Sequence, residues 1–465
     1  MKHGLVFLGV ILFILISTVT SLAGGGFALP GVGTKAMNMG GAFRGLADDW
    51  SAAFWNPGGL AYLTSSELNI EGYILNFRPE YTPNMQLGEA QYGFGYPTTT
   101  HYPEDRAFFL PAFSGFLKLT QLNGFVGGVA FYAPYKMQTR WDLYKPPLGF
   151  DNTVPYPKFD HSTNILVWDI HPSVAKSFME GKLGLGLGIS IQRVDFELRQ
   201  TVLVPTEFPR PYDFFPYDAW MKTNGWGLGF NAGALYKYSP KLQFGLSYRS
   251  PVNVDLSGSM KLEIYYPLIN VAGSQILGGT TRFKDGNFKP TLSLPGEMGF
   301  GVMFKPMEKL MLTTDISSVN WSKFESIDTK DFTLTPGQGD TLYLGVRDAK
   351  IQFNWKNIMR FSLGGEYRLK EKLAVRGGYF FEKSPIPNST FTLLVPDIGD
   401  KHGINMGLSY KIRSFELGYD YQLLVYKKRD VSNLEDVNGD GRFDNMPGIY
   451  KMLSHCSGLS VTYRF

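Results

Sequence analysis

Gly458–Phe465 reads GLSVTYRF, and its alternation decides the fold class. Side chains along a strand alternate with period two. Leu459, Val461, Tyr463 and Phe465 therefore share one face, and Gly458, Ser460, Thr462 and Arg464 the other. Upstream, Phe415, Leu417, Tyr419, Tyr421, Leu423 and Val425 oppose Glu416, Gly418, Asp420 and Gln422. Ile404, Met406, Leu408, Tyr410 and Ile412 oppose Asn405, Gly407, Ser409 and Lys411, and Leu373, Val375, Gly377, Tyr379 and Phe381 oppose Ala374, Arg376, Gly378 and Glu382. The same pattern predicts strands at 66–78, 108–119, 124–138, 163–178, 183–203, 224–237, 241–258, 290–305, 309–325, 349–367, 372–384, 401–412, 415–429 and 450–465, 14 in all.

Alternation by itself fits a soluble sandwich, with the apolar face inward, as well as a membrane barrel, with that face toward lipid. The connections separate the two. Short turns at Gln121–Asn123, Met179–Gly181, Ser239–Pro240, Pro306–Glu308, Lys370–Glu371 and Arg413–Ser414 alternate with long links at 79–107, 139–162, 204–223, 259–289, 326–348, 385–400 and 430–449. An even number of antiparallel strands, with tight turns at one end and long loops at the other, is the outer-membrane barrel pattern. Closure also removes exposed sheet edges.

Composition agrees. Charged residues make up 18% of the chain and aromatics 15%; a soluble domain usually carries ~25% charged residues. The 53 glycines and 26 tyrosines suit a crowded lumen and aromatic girdles. The net charge of +4 is too small, and basic runs too scarce, to argue for nucleic acid. One cysteine, Cys456, excludes an internal disulfide and reads as a small packed group. Lys2 and His3, the apolar run Leu5–Ile16 and Ser21-Leu22-Ala23 form a cleavable export signal over 1–23, too short to span a bilayer.

Between that signal and the first strand, Gly24–Leu63 reads GGGFALPGVGTKAMNMGGAFRGLADDWSAAFWNPGGLAYL. It is too glycine-rich for a long helix and lacks strand alternation, yet it carries Phe27, Leu29, Met37, Met39, Phe43, Leu46, Trp50, Phe54 and Trp55. So many large apolar groups need an enclosure, which a flexible arm would not give. Residues 24–63 are expected to plug a barrel built from 64–465. Asp48 is expected to N-cap a short helix through Trp55, ended by Asn56-Pro57. Gly40, Gly41 and Gly45 would allow close packing on a wall.

The plug resembles the N-terminal hatch of the FadL-type transporters of long-chain fatty acids and hydrocarbons. Ala47-Asp48-Asp49 and Asn56-Pro57-Gly58-Gly59-Leu60 match its pattern, with Gly58 where the family usually has alanine. Ser247-Tyr248-Arg249-Ser250-Pro251, Leu294-Pro295, Asn320-Trp321-Ser322-Lys323-Phe324 and the run Ala374–Ile412, with its Val395-Pro396-Asp397, are also similar to family segments. The terminal Phe465 resembles the end signal of outer-membrane barrels, which implies insertion by the barrel-assembly machinery among outer-membrane lipid and lipopolysaccharide. The resemblance implies a 14-stranded barrel around the hatch and passive transport of a long-chain fatty acid or hydrocarbon. It also implies a first ligand site among external loops, a tighter one at the hatch start near Phe27 and Leu29, and lateral release at a kink in the third strand.

The residues themselves supply matching chemistry. The link 204–223 carries Phe208, Tyr212, Phe214, Phe215, Tyr217 and Trp220, and 262–277 carries Tyr265, Leu268 and Ile269 on a predicted apolar hairpin or helix. External apolar groups of this kind either capture cargo or pack on each other as a lid. Pro134 cannot donate a ladder hydrogen bond and marks a bulge or edge in the third strand. Arg44, Arg193, Arg360, Arg368 and Arg376 are candidates for holding a carboxylate, and each is equally able to pair with Glu366, Glu382, Glu416 or Asp420.

Asp436, Asn438, Asp440, Arg442 and Asp444 occupy ligand positions of an EF-hand-type loop with glycine at its sixth position, Gly441. Pro447 stands where the bidentate glutamate belongs. The expectation is at most weak Ca²⁺ binding, with a polar Asx turn as the alternative, and no required cofactor. No Gly-x-Ser-x-Gly elbow, zinc-type histidine cluster or phosphate-cradling loop points to an enzyme. A structural or adhesive barrel, an aqueous porin and an outer-membrane lipase are the competing readings.

Overall fold

In the computed structural model, alternating strands close into an antiparallel barrel of 14 members. These are β1 (Glu67–Pro83), β2 (Ala107–Leu119), β3 (Phe125–Trp141), β4 (His161–Phe178), β5 (Leu183–Pro205), β6 (Phe214–Ser239), β7 (Leu242–Arg249), β8 (Glu297–Met307), β9 (Leu310–Val319), β10 (Ile358–Lys370), β11 (Leu373–Glu382), β12 (Lys401–Ile412), β13 (Phe415–Tyr426) and β14 (Gly448–Arg464). Each pairs with the next, and β14 pairs with β1 from Glu67↔Arg464 to Pro83↔Gly448, which closes the ring. The structure describes residues 25–84, 99–104, 107–119, 121, 123–145, 150, 155–209, 212–271, 274–283, 286–328, 350–395, 397–439 and 443–465. The export signal lies outside them.

The alternation sorts the faces as a membrane demands. Leu459, Val461, Tyr463 and Phe465 are exposed, as are Leu228, Ile404, Met406 and Leu417, so the apolar face points out. Ser460, Asn405, Ser409, Asp420, Glu366 and Asp315 turn inward. A soluble sandwich would reverse this arrangement.

Gly25–Leu63 sits inside the ring. It has two short helices, α1 (Thr34–Asn38) and α2 (Ala52–Trp55), followed by a 3₁₀ turn at Pro57–Tyr62. Backbone meets backbone where both sides lack side chains. A Cβ on Gly45 would stand 2.6 Å from the Val302 carbonyl carbon, and one on Gly58 would stand 2.7 Å from the Gly184 oxygen. Phe43, Leu46, Trp50, Trp55 and Leu60 pack with Phe116, Val126, Ala130 and Met303 of the wall in one buried cluster. Asp48 does not cap the helix as expected. Its carboxylate takes Lys35 Nζ at 2.7 Å, and Asp49 instead receives the Ser51 amide at 2.9 Å and the Ser51 hydroxyl at 2.6 Å. The helix therefore starts later, at Ala52, and ends at Asn56 as expected.

Several strand limits also differ from expectation. β6 starts at Phe214, so most of the supposed link 204–223 is strand, and its upper part pairs with Ser257–Tyr265. β7 stops at Arg249 before Pro251, and Val252–Asp255 then pairs with Thr291–Leu294. This two-stranded ribbon lies against the glycines of β6, where a Cβ on Gly227 would stand 2.6 Å from Val252 Cγ1. Val252, Val254, Leu292 and Leu294 are buried there. A period-two pattern cannot distinguish a strand that stays in the wall from one that folds across the lumen. β9 ends at Val319 and β10 begins at Ile358, both inside the predicted spans.

Candidate cargo path and lateral seam

β2 and β3 pair only from Leu119↔Phe125 to Phe113↔Phe131. Beyond Phe131, β3 bulges. Tyr132 faces Asp169 of β4 and Tyr135 faces Val167, so Ala133 and Pro134 oppose a single residue. Pro134 has no N–H for the ladder, and neither does Pro111 on the facing stretch of β2. The wall is unzipped between Ala107–Ala112 and Tyr132–Trp141.

The hatch start fills this seam. Ala28 forms an antiparallel bridge with Tyr135, and the Leu29 amide donates to the Pro134 carbonyl at 3.0 Å. Leu29 packs beside Leu110, Ala133, Met37 and Cys456. A small cavity lined by Leu29, Pro30, Leu110, Pro111, Tyr132 and Ala133 remains at the junction. Phe27 is buried in an aromatic nest, with ring centroids 5.0 Å from Trp321, 5.6 Å from Tyr135, 5.6 Å from Phe324 and 5.7 Å from Trp355. Sequence reasoning placed Phe27 and Leu29 at the hatch start but gave no sign that they separate a nest from a seam.

Charges hold the hatch start. The Gly26 amide donates to Asp397 Oδ2 at 2.7 Å, and Lys401 Nζ lies 3.4 Å from the other oxygen of Asp397 and beside Glu382. Burial pushes the Asp397 carboxyl above its usual range, against the pull of Lys401 and the Gly26 N–H. A cavity next to it is lined by Phe27, Phe77, Lys136, Met137, Lys401 and Tyr426. Lys136 bonds Asn164 at 2.7 Å and lies 5.1 Å from the Phe108 ring. Lys136 and Lys401 were not among the expected cations, because nothing local in the sequence marks them; they lie hundreds of residues from the hatch or on another strand.

The five arginine candidates all have carboxylate partners. Arg44 pairs with Glu297 and, at 3.4 Å, with Asp315; Arg360 lies 3.6 Å from Glu382; Arg376 lies 2.7 Å from Glu366; Arg368 lies 3.7 Å from Glu366; and Arg193 lies 3.3 Å from Asp195. Arg360 also donates to the Pro30 carbonyl at 2.6 Å and the Gly40 carbonyl at 3.1 Å, which ties it to the hatch. Asn56 ties the hatch to β6, donating to the Arg44 carbonyl at 2.8 Å and the Ala234 carbonyl at 3.0 Å while accepting from Gly58 N–H. Pro57 fits over Gly186, where a Cβ would stand 2.2 Å from its carbonyl carbon.

The external rings form separate groups. Phe215 packs on Phe208 at 5.8 Å, Phe150 at 6.0 Å and Tyr266 at 5.7 Å, and Tyr212 joins through Phe150. Phe214 begins β6 next to them. Tyr265 stacks edge-on with Tyr156 at 4.7 Å. Trp220 stands apart, donating to Glu197 at 2.8 Å and lying under Lys261 at 4.7 Å. Leu268 is exposed on the hairpin Leu268–Val271/Ser274–Leu277, and the Ile269 side chain lies outside the described residues. Ser257–Tyr265, Leu268–Val271 and Ser274–Leu277 are thus strand rather than helix.

In the last long link, Asp436 accepts from Gly439 N–H at 2.8 Å, and Asp444 accepts from Val437 N–H at 2.8 Å. Asp440 and Arg442 lie outside the described residues.

At the short-turn end, a cavity of about 340 Å³ is lined by Lys35, Asp48, Glu366, Arg376, Glu416, Arg464 and other polar groups. The two ends of the lumen thus differ sharply, aromatic at the long-loop end and ionic at the other.

Comparison with known proteins places this architecture. The profile of the outer membrane transport proteins grouped as OMPP1/FadL/TodX matches residues 14–465. A long-chain fatty acid transport protein of Escherichia coli O6:H1 is 28% identical over 209 residues, which are 44% of this chain and 44% of that protein. The chain thus aligns with less than half the length of that relative. Among solved structures, a Pseudomonas aeruginosa FadL homologue superposes with a TM-score of 0.73 at 19% identity, covering 95% of this chain and 100% of the other. The Pseudomonas putida toluene transporter TodX gives a TM-score of 0.68 at 13% identity, covering 94% and 99%. These two likenesses establish a shared fold.

Proposed function

The chain belongs to the OMPP1/FadL/TodX family of outer membrane transport proteins, and from that premise we propose that it passes long-chain fatty acids or hydrocarbons passively into the outer membrane. The observation that carries this reading is the seam: unpaired edges of β2 and β3 at the Pro134 bulge, occupied by hatch residues Ala28 and Leu29 rather than by wall. Cargo is gathered at the rings of Phe208, Tyr212, Phe214 and Phe215 and moves to the Phe27 nest, where Lys136 supplies positive charge for a carboxylate. Withdrawal of Gly25–Pro30 then opens the seam toward lipid. An apolar chain gains free energy by leaving sideways into hydrocarbon and loses it by entering the ionic cavity below. The belt of exposed apolar side chains contacts outer-membrane lipid and lipopolysaccharide, and insertion falls to the barrel-assembly machinery.

Radiolabelled oleate and alkane uptake, compared in cells with and without the gene, tests the reading. We expect the strain lacking the gene to take up at least one of them several-fold more slowly. Equal uptake of both ligands in both strains would overturn transport. A loss for alkane alone would assign a hydrocarbon and leave Lys136 without a cargo role.

We also propose weak Ca²⁺ binding by Asp436, Asn438, Asp440 and Asp444, which would stiffen the last long link. Calorimetric titration should give a heat that Asp440→Ala abolishes; no heat in the parent protein removes the idea.

A further inference from the structure

A side-chain cluster between α1 and strands β12 and β13 has no part in the path above. Asn38, the last residue of α1, is fully buried, and its amide nitrogen donates to the Tyr419 carbonyl at 3.0 Å. Asn405 of β12 is buried and donates its amide nitrogen to the Met37 carbonyl at 2.7 Å. Those bonds fix both amides, because a nitrogen must face a carbonyl, and each amide oxygen then points the other way. Neither of these oxygens has a hydrogen-bond partner. Asp420 of β13 is fully buried, and neither of its carboxylate oxygens has a partner.

Register brings these groups together. Gly407 pairs with Asp420, and Asn405 pairs with Gln422, whose Oε1 is also without a partner. The missing side chain at Gly407 admits Asn38, since a Cβ there would stand 1.9 Å from Asn38 Oδ1. Directly opposed positions on antiparallel strands hold their Cβ atoms roughly 4.5–5.5 Å apart. Asn38 Oδ1, occupying the place of the Gly407 side chain, is therefore a close neighbour of the Asp420 carboxylate.

The nest is rich in acceptors; the Tyr73 hydroxyl beside it is already given to Glu71, and the Cys456 thiol is a weak donor. Buried polar groups are almost always satisfied, and a buried carboxylate without a partner is strongly disfavoured. One water donates two hydrogens and leaves the remaining acceptors unserved. Arg376, across Gly407 on β11, is committed to Glu366 at 2.7 Å and Ser409 at 3.0 Å. All-oxygen ligands suit a hard cation. Glu71, the other carboxylate near Asp420, already accepts from the Thr34 amide, the Trp50 indole and the Tyr73 hydroxyl. We propose that Asp420, Asn38 and Asn405 together hold one hard cation that clamps α1 of the hatch to the wall, and that a site with one uncommitted carboxylate selects Na⁺ over Ca²⁺. The clamp is independent of what the protein transports.

The test uses the mature full-length protein in detergent, exchanged into choline chloride and then into NaCl, KCl or CaCl₂ at matched ionic strength. Hydrogen exchange of the α1 amides is the readout. Na⁺ should slow their exchange at least tenfold relative to choline, and Asp420→Asn should erase that difference while the Phe27 region keeps its protection. Identical exchange in choline and every salt overturns the site and makes Asp420 a neutral carboxylic acid. Greater protection by Ca²⁺ than by Na⁺ overturns the sodium assignment. Should Asp420→Asn fail to insert, Asn405→Asp serves instead, because a second carboxylate should move the preference from Na⁺ to Ca²⁺; an unmoved preference counts against the site.

Discussion

A disulfide joining positions 28 and 135 should cut oleate uptake to the level of cells lacking the gene, and a reductant should restore it. Ala28 and Tyr135 are bridge partners across the seam. Opposed residues of an antiparallel pair have Cα atoms about 4.5–5.5 Å apart, within the range a disulfide spans. The double substitution Ala28→Cys/Tyr135→Cys belongs in a Cys456→Ser background, because Cys456 packs in the same small cluster as Leu29. The reduced form reports what loss of the Tyr135 ring costs the Phe27 nest, so oxidised and reduced samples of one protein isolate the effect of fixing the hatch start. The expected difference is more than tenfold. Full transport with the bond formed, verified by mass spectrometry, would show that cargo leaves without moving Ala28 from β3.

The second large effect concerns Arg44. Its guanidinium pairs with Glu297 of β8 and Asp315 of β9, donates to Ser247 of β7 at 3.1 Å and lies 5.2 Å from the Trp55 ring. Its backbone amide and that of Phe43 donate to the same Asp315 oxygen at 2.9 Å and 3.1 Å. Arg44→Met should leave the buried Asp315 and the half-buried Glu297 short of a counter-charge. Removing one partner of a buried pair costs about 3–5 kcal/mol. Glu297 keeps Arg249 at 3.5 Å, and Asp315 keeps its two amides, so the low end applies. About 3 kcal/mol corresponds to roughly a hundredfold faster opening-limited hydrogen exchange in residues 40–47, since ~1.4 kcal/mol is tenfold. In planar bilayers the same variant should show flickering conductance where the parent barrel is closed. Unchanged exchange and conductance would mean that the glycine contacts hold the hatch without the ion pairs.

Much of the architecture was legible in the chain because a membrane wall has only two faces. Leu459, Val461 and Tyr463 had to be on one and Ser460 and Thr462 on the other, and the short turns fixed the hand-over between strands. Less legible was anything the lumen decides. Val252 and Val254 alternate like wall residues but fold across β6, because Gly225, Gly227 and Gly229 leave room for them on its inner face. Asp48 reads as a helix cap, but Lys35, thirteen residues earlier, claims its carboxylate. Pro134 was visible as a break in one strand, whereas the seam also needs Pro111 on the neighbouring strand and the hatch between them. Asp397, 371 positions from Gly26, meets it only once the barrel has closed. Local pattern names the strands, and contacts across the ring assign their tasks.

The glycine-to-backbone contacts have a further meaning. Gly184, Gly186, Gly233, Gly245 and Gly301 sit on four strands, β5 to β8, and at each a single added carbon would collide with Gly25–Leu63. The inner surface is thus a mould taken from one object in one orientation. Most of its dents are filled by the insert rather than by side chains of the cylinder itself, so the cylinder is an unfinished solid until its insert is seated, and the two must be inherited as a matched pair.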